Sequence, residues 1–437
     1  MANRGVRRRA LRVSAAAVAM VLVAEGAVWL LRPRERPIQP AGVSEGDYFT
    51  RAEIERGRAY SDGQRWLLLA AIGAQGAVLV SFALGRPTPV RHGLQRLEGH
   101  AVVGAAAAGA GISLALGVAA LPAGIAAHER GVDYGISTQS LGFWLQDAGK
   151  AAAISAALAA VGAALLIALV RRFGSRWWIP GSFAVAAIAV VFAWLAPVLL
   201  APLFNKFTPL SEGSKARADV LALGRRAGVE IGEVYRVDAS RRVRSLNAYV
   251  DGVGPTKRVV LYDNLLRRTK RPELRSVVAH ELGHVKHDDV GRGLAFVALV
   301  SPLGLLFVRE VAGALTRRTG VGERGPGAVP AYTLGLAIAA FALGIPGNQL
   351  SRQVEASADT FALELTHDPH ALIRVQRQLA LSSAADPDPP GIATALIGTH
   401  PPTMERIGAA VAFAQRTAPP RREHLVSPHG RSARGAS

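Results

Sequence analysis

Seven long apolar runs divide this chain, and they leave it few possible folds. Most of them approach or exceed the roughly 20 residues that a helix needs to cross a bilayer. The last two are shorter and could be tilted, extended or only partly embedded. The runs are residues 13–31, 66–84, 101–127, 151–170, 179–200, 294–308 and 329–345. The sequence therefore predicts a mostly α-helical, polytopic protein of the cell membrane with about seven transmembrane helices.

Composition narrows the chemistry that the chain can use. It holds no cysteine, which excludes disulfides, thiolate metal ligands and a cysteine nucleophile. Its formal charge of +19 could suggest that the protein binds nucleic acid. No nucleic-acid-binding module accompanies that charge, and Lys and Arg cluster in loops beside the apolar runs, which favours the headgroups of membrane lipids as partners. We therefore expect no nucleic-acid partner.

A short motif in a polar segment indicates a metal site. His280, Glu281 and His284 form an HExxH pattern, and residues four apart share one face of a helix. Pro272 and an apolar stripe through the segment predict that helix. Two imidazoles placed in this way can share one Zn2+ ion, with Glu281 positioned to accept a proton from the attacking water. Gly283 would let another segment approach closely.

Two histidines leave a catalytic zinc site incomplete, because such a site usually has three protein ligands. Glu355 could supply the third, and Asp359, one helical turn later, could accept a hydrogen bond from a ligand histidine. Two apolar runs separate His284 from Glu355. Because two crossings return the chain to the side on which it started, the ligands can meet at one membrane face.

The chain is predicted to have five parts. These are an N-terminal membrane region of about five helices (1–204), a catalytic part with the HExxH helix (205–292), a transmembrane hairpin (293–347), a second catalytic part with the third ligand (348–415) and a disordered basic tail (416–437). The first catalytic part contains a helix near 216–227 and strands at 233–237 and 258–262. A zincin-like catalytic part with a small β-element is therefore expected.

Several further stretches resemble the type 1 CAAX prenyl endopeptidase family of integral-membrane zinc proteases. They follow the family's order along most of the chain, and as a set they are specific. They are Pro202-Leu-Phe-Asn205-Lys-Phe-Thr-Pro209, Asn247-Ala248-Tyr249 with the strand after it, HELGH, the pair Glu355 and Asp359, and His400-Pro401-Pro402 with Arg406. The chain departs from eukaryotic members at Val285, where Trp is common, and in the acidic continuation His287-Asp288-Asp289.

The resemblance implies a role for each of these residues. It implies His280, His284 and Glu355 as ligands of one zinc ion and Glu281 as the general base. It suggests that Asn247 and His400 contact the substrate or stabilise the tetrahedral intermediate, and that Arg406 pairs with the acids of the Glu355 helix. The extended segment that includes Ala248 and Tyr249 could hold a peptide or protein substrate by strand addition. His287 could support the site or could merely lie at the interface.

Three other interpretations of the motif and its membrane setting are considered. In a site-2 protease the HExxH helix lies inside the membrane, but here Lys270, Glu273 and Lys286 flank the motif and place it in water or at the interface. An HtpX-like quality-control protease usually has fewer spans. A catalytically inactive membrane scaffold would lack the intact base and ligands.

The orientation in the membrane rests on two opposing observations. The arginines before residue 13 favour a cytoplasmic N-terminus, which would put the catalytic face outside. The opposite arrangement places the first loop, the catalytic parts and the Arg-rich tail in the cytoplasm, and it holds far more Lys and Arg inside. We expect this second arrangement, with a cytoplasmic catalytic face.

Overall fold

A computed structural model describes residues 2–252 and 257–417 of the chain, and the side chains from residue 9 onward. Within these residues it has fourteen α-helices and four β-strands. The helices are α1 (Ala2–Leu31), α2 (Arg51–Val80), α3 (Thr88–Arg96), α4 (Ala101–Asp133), α5 (Leu141–Phe173), α6 (Trp178–Leu195), α7 (Lys215–Ala227), α8 (Asp263–Arg268), α9 (Arg271–Lys286), α10 (Asp289–Thr319), α11 (Val329–Thr366), α12 (Pro369–Ser383), α13 (Gly391–Ile397) and α14 (Thr403–Thr417). The strands are β1 (Phe207–Pro209), β2 (Glu233–Val237), β3 (Ala248–Asp251) and β4 (Arg258–Tyr262). The predicted tail, 416–437, lies outside the described residues beyond Thr417.

Seven of these helices are long and apolar enough to cross a membrane, which confirms the predicted fold class. They are α1, α2, α4, α5, α6, α10 and α11. Large apolar side chains point away from the protein along them: Phe183 of α6 is 74% exposed and Val103 of α4 is 69% exposed. Such a surface is costly in water and favourable in lipid. The protein is therefore a multi-span integral membrane protein.

Small residues let the membrane helices pack closely. A Cβ atom added to Gly109 of α4 would lie 2.5 Å from the backbone oxygen of Ala159 in α5. Because lipid tails are as apolar as the helices, the hydrophobic effect does not drive helices together inside a membrane. Close backbone approach therefore supplies much of the attraction between them. The abundance of Ala and Gly in the apolar runs thus has a direct structural use.

The helix α11 is much longer than the apolar run that predicts it. It continues without a break for 38 residues, from Val329 to Thr366, and contains both the last membrane span and Glu355. At about 1.5 Å per residue it is roughly 57 Å long, against about 30 Å of hydrocarbon. The predicted hairpin and the second catalytic part are therefore joined by one continuous helix.

The four strands form one small sheet beside the helix that carries the HExxH motif. Its order is β1-β2-β4-β3, with β2 and β4 parallel and the other two pairs antiparallel. The predicted strands 233–237 and 258–262 are confirmed as β2 and β4, and the predicted helix near 216–227 as α7. The sheet packs against α7 and α9 through a buried core that includes Val234, Val259 and Leu282. This packing holds the HExxH helix beside the edge strand β3.

Candidate metal centre and peptide site

The HExxH residues lie on α9, outside the seven membrane spans. The helix begins at Arg271, and Glu273 accepts a hydrogen bond of 2.5 Å from the backbone nitrogen of Lys270, which caps its first turn. Gly283 faces α11: a Cβ atom there would lie 3.2 Å from the Cα of Ala358 and 3.2 Å from the ring of Phe361. The predicted close approach at this glycine is confirmed. It is what brings α11 and its acids against the HExxH face.

Three side chains from the two helices converge on one point. His280 Nε2 lies 3.2 Å from His284 Nε2 and 3.2 Å from Glu355 Oε2. His284 Nε2 lies 3.6 Å from Glu355 Oε1. The side chains of His280 and Glu355 are only 10% and 11% exposed. The structure thus brings together the three residues that the sequence nominated as metal ligands.

Both histidines are oriented by carboxylates behind them. His280 Nδ1 lies 2.9 Å from Asp359 Oδ1, and His284 Nδ1 lies 2.9 Å from Asp289 Oδ2. A carboxylate can only accept, so each Nδ1 carries the proton. Each Nε2 is then left with a free lone pair directed at the shared point. This is the arrangement in which outer carboxylates set the tautomer of metal-binding histidines.

Asp359 is in turn held by Arg406. The guanidinium donates two hydrogen bonds to the carboxylate, of 2.7 Å and 2.6 Å, and the two side chains are 12% and 3% exposed. A bidentate ion pair of this kind fixes the relative orientation of its two side chains and is stronger than a neutral hydrogen bond. Arg406 lies on α14, so the pair joins the last described helix to the ligand helix α11. The predicted contact between Arg406 and the acids of the Glu355 helix is present.

Glu281 and His400 border the same point. Burial raises the pKa of the Glu281 carboxyl, and the neighbouring His280 and His284 oppose that shift. His400 Nε2 lies 3.3 Å from Glu355 Oε1, and its Nδ1 lies 2.9 Å from the hydroxyl of Thr399. Partial burial lowers the pKa of His400, although Glu355 partly offsets this. The raised pKa of the Glu281 carboxyl suits a group that exchanges protons with a reacting molecule.

The Asn247-Ala248-Tyr249 segment lies at the sheet edge. Ala248 pairs with Leu261 and Tyr249 pairs with Val260, which leaves the outer side of β3 without a partner strand among the described residues. Asn247 is exposed, and its Oδ1 accepts a hydrogen bond of 2.9 Å from the Ala248 backbone nitrogen. Within the described part of the chain, no hydrogen bond joins Asn247 to the histidine cluster. The segment flanks the centre rather than entering it.

Two residues near the motif differ in their contacts. Asp289, which sequence reasoning did not nominate, orients His284, because Asp288 adopts a left-handed conformation at φ 51° and turns the chain back. The sequence signal for this role is an acidic residue five positions after His284, just beyond the end of α9. His287 instead lies 3.5 Å from Glu35, 3.4 Å from Ser357 and against the ring of Phe361, away from the converging atoms.

The converging atoms fit a zinc ion. Zinc bonds of about 2.0–2.2 Å in a tetrahedron separate ligand atoms by roughly 3.3–3.6 Å. The two Nε2 atoms lie 3.2 Å apart, Glu355 Oε2 lies 3.2 Å from that of His280 and Glu355 Oε1 lies 3.6 Å from that of His284, so the carboxylate faces both nitrogens near that spacing. Glu355 Oε2 is buried and forms no hydrogen bond within the described residues, because the nearby His280 Nε2 carries no proton in the tautomer that Asp359 sets. Two nitrogens and an unpaired carboxylate oxygen are a donor set for a metal.

A seven-span helical membrane protein with this centre is a membrane metallopeptidase. Residues 213–414 match the model of peptidase family M48, and residues 129–206 match that of the CAAX prenyl protease N-terminal region with five membrane helices. The chain is 30% identical to a Bacillus subtilis protein named uncharacterized metalloprotease YhfN, over 68% of this chain and 70% of the relative. The chain belongs to peptidase family M48 and is a metalloendopeptidase.

A further relative carries a related name, and a solved structure shares the fold. The chain is 31% identical to a CAAX prenyl protease 1 homolog of Oryza sativa subsp. japonica, over 63% of this chain and 65% of the relative. The fold matches the crystal structure of S. mikatae Ste24p with a TM-score of 0.71 at 20% identity, covering 92% of this chain and 98% of that one. That likeness establishes a shared fold.

Proposed function

We propose that this protein is a zinc-dependent endopeptidase that hydrolyses peptide bonds at a face of the membrane. The observation that carries the proposal is the convergence of His280 Nε2, His284 Nε2 and a Glu355 oxygen within 4.8 Å of one another. These three side chains would hold the ion. Bound zinc would supply a Lewis acid that polarises the scissile carbonyl and acidifies a water molecule.

The remaining roles follow from the chemistry of each side chain. Glu281 accepts a proton from the attacking water and returns it to the leaving amine, which its raised pKa favours. His400, next to Glu355, donates a hydrogen bond to the carbonyl oxygen as negative charge develops there. Asn247, at the entrance from β3, supplies a second donor on its exposed amide. Asp359 and Arg406 are positioning residues that keep His280 in its ligand tautomer.

The edge strand β3 is the proposed place for the substrate backbone. An extended peptide added beside Ala248 and Tyr249 would run along the outer side of β3, and β3 packs against the HExxH helix. Because α11 and α10 bring this centre to the ends of membrane spans, a membrane-associated peptide or protein reaches it most directly. The names of the relatives support a CAAX-like carboxyl-terminal peptide as one such substrate.

We further propose that the catalytic face is cytoplasmic and that the membrane is the cell membrane. The support is the greater number of Lys and Arg residues in the loops and tail on the catalytic side. A reporter fused after Ser437 tests the assignment. Activity of that reporter only outside the cell would overturn it.

The peptidase proposal is tested by Glu281→Gln in the full-length protein purified in detergent. Zinc content should stay at one ion per chain while cleavage of casein and of a fluorogenic CAAX-type peptide falls about 10²- to 10⁴-fold. Glu364→Gln, an exposed position on α11, is the matched control and should leave both values unchanged. A zinc-loaded, fully active Glu281→Gln enzyme would refute the base assignment. Equal cleavage by metal-free wild type would refute the zinc peptidase itself.

A further inference from the structure

A second polar pocket lies away from the metal centre, where the membrane helices meet the sheet. It has a volume of about 610 Å³ and is bounded by the start of α5, the turns that follow α6 and the sheet. Five of its lining side chains are basic, and none is acidic. They are Lys150, Lys206, Arg241, Arg242 and Arg258.

The carboxylates near this pocket neutralise only part of its charge. Asp147 pairs with Arg242 at 2.9 Å and with Lys150 at 3.3 Å, and Asp251 pairs with Arg258 at 2.5 Å. Asp238 pairs with Arg241 at 3.1 Å. Three carboxylates therefore face five basic groups, which leaves two positive charges. Among the described residues, the Lys206 side chain has no carboxylate within ion-pair distance, and it is exposed.

Two of the five basic side chains, Arg242 and Arg258, are held in place before any ligand arrives. Arg242 lies 5.1 Å above the ring of Phe143, and Arg258 lies 5.2 Å above that of Phe207. Arg258 also donates a hydrogen bond of 3.2 Å to the backbone oxygen of Pro197, in the turn after α6. Fixed guanidinium groups lose little entropy on binding an anion, and they match the geometry of phosphate oxygens.

The rim of this pocket is continuous with an exposed apolar surface at the end of the span that contains α6. The last membrane turn after α6 ends at Leu203, which both closes the span and lines the pocket. Leu199 and Leu203 are 57% and 51% exposed, and Val198 is 61% exposed. A ligand with one anionic end and one apolar end would satisfy both surfaces at once. A soluble anion would use only the basic part.

We propose that this pocket binds the phosphate headgroup of an anionic phospholipid, with its acyl chains along the outer surface of α6. The headgroup contacts Lys150 of α5, Lys206 before β1 and the guanidinium groups of the sheet side. A bound lipid therefore ties the sheet to the membrane helices at a fixed depth. The metal ligands take no part in this site, and the strand β3 contributes only Asp251, which pairs with Arg258.

Native mass spectrometry of the full-length protein tests the proposal. At low lipid-to-protein ratios the wild type should retain one phosphatidylglycerol and little phosphatidylcholine. Lys150→Gln/Lys206→Gln should weaken phosphatidylglycerol binding roughly ten- to thirtyfold, at about a fivefold loss for each basic group removed near a membrane surface. Lys215→Gln/Arg268→Gln removes the same two charges from exposed positions outside the pocket and should bind as the wild type does.

A charge-conserving variant and a competition experiment complete the test. Lys150→Arg/Lys206→Arg keeps the charge and should restore binding, which separates a lost ligand contact from a damaged fold. Inorganic phosphate and glycerol phosphate should compete only at far higher concentration than phosphatidylglycerol. Equal binding of the two phospholipids, an equal loss in the control variant, or inorganic phosphate as tight as the lipid would overturn the proposal.

Discussion

Asp289 Oδ2 lies 2.9 Å from His284 Nδ1, across the break between α9 and α10. Asp359 is at the same distance from His280 Nδ1 on the other side of the cluster. Each histidine of the HExxH motif thus has its own carboxylate, one from the next helix in sequence and one from a helix after two membrane crossings. The pairing fixes both rings with their Nε2 atoms inward.

Removing the first of these carboxylates should weaken the metal site without removing a ligand. Asp289→Ala is expected to lower zinc affinity about 10- to 100-fold, because His284 loses the acceptor that sets its tautomer. Competition with a chromophoric chelator measures this affinity. Glu212→Ala, an exposed acid elsewhere on the catalytic side, should leave the affinity unchanged. Unaltered zinc affinity in the Asp289 variant would show that the contact has no role in the site.

Arg406 should matter chiefly for stability. Its loss leaves the Asp359 carboxylate, only 3% exposed, without its cationic partner and with the His280 ring still donating to it, so Arg406→Ala is expected to cost about 3 kcal/mol of folding free energy. Arg406→Lys should restore little of it, because an ammonium cannot make the bidentate contact. Unfolding in detergent, followed by far-UV circular dichroism, measures the loss. Arg416→Ala, near the exposed end of the same helix, serves as control, and a similar loss there would contradict the argument.

The sheet edge offers a direct test of strand addition. The Tyr262 nitrogen donates to the Asn247 oxygen, so alternation along an antiparallel pair turns the Val250 N–H outward. Val250→Pro removes that donor while sparing the bonds to β4. We expect a higher KM for peptide substrates with little change in kcat or in thermal stability. Tyr249→Pro should instead disrupt the ladder and lower stability, and an unchanged KM for Val250→Pro would exclude binding at this edge.

The start of the HExxH helix should make stability depend on pH. Two hydrogen bonds of 2.6 Å from Arg271 lower the pKa of Asp219. A lowered folded-state pKa stabilises the fold fully above the unfolded pKa of about 3.9, and this is lost as the pH falls through the folded value. Arg271→Gln should therefore be less stable than the wild type at pH 7, and the difference should vanish at strongly acidic pH. Urea unfolding at both pH values, with Arg268→Gln as control, checks this, and a gap independent of pH would contradict it.

Sequence patterns predicted the larger elements because those patterns are long. Seven apolar runs matched seven spans, and the strand-like runs 233–237 and 258–262 matched β2 and β4. The short strand β1 was not predicted, since three residues contain too little alternation to distinguish a strand from a loop. The segment that forms β3 was expected to be extended, but on the strength of the family resemblance and not of its own alternation. The full length of α10 and α11 was also missed, because hydropathy marks the part of a helix in lipid and not its polar extension.

The sequence by itself determined a helical membrane protein, an HExxH helix kept out of the lipid by its charged flanks, and a distant acid returned to the same face. These follow from local periodicity, from the cost of charge in hydrocarbon and from the number of crossings. Only the tertiary structure decided that Gly283 lets α11 approach within contact, that Asp289 folds back onto His284 and that Asn247 stands at a sheet edge. Each of these depends on how separate elements pack against one another, and no pattern within a single element carries that information.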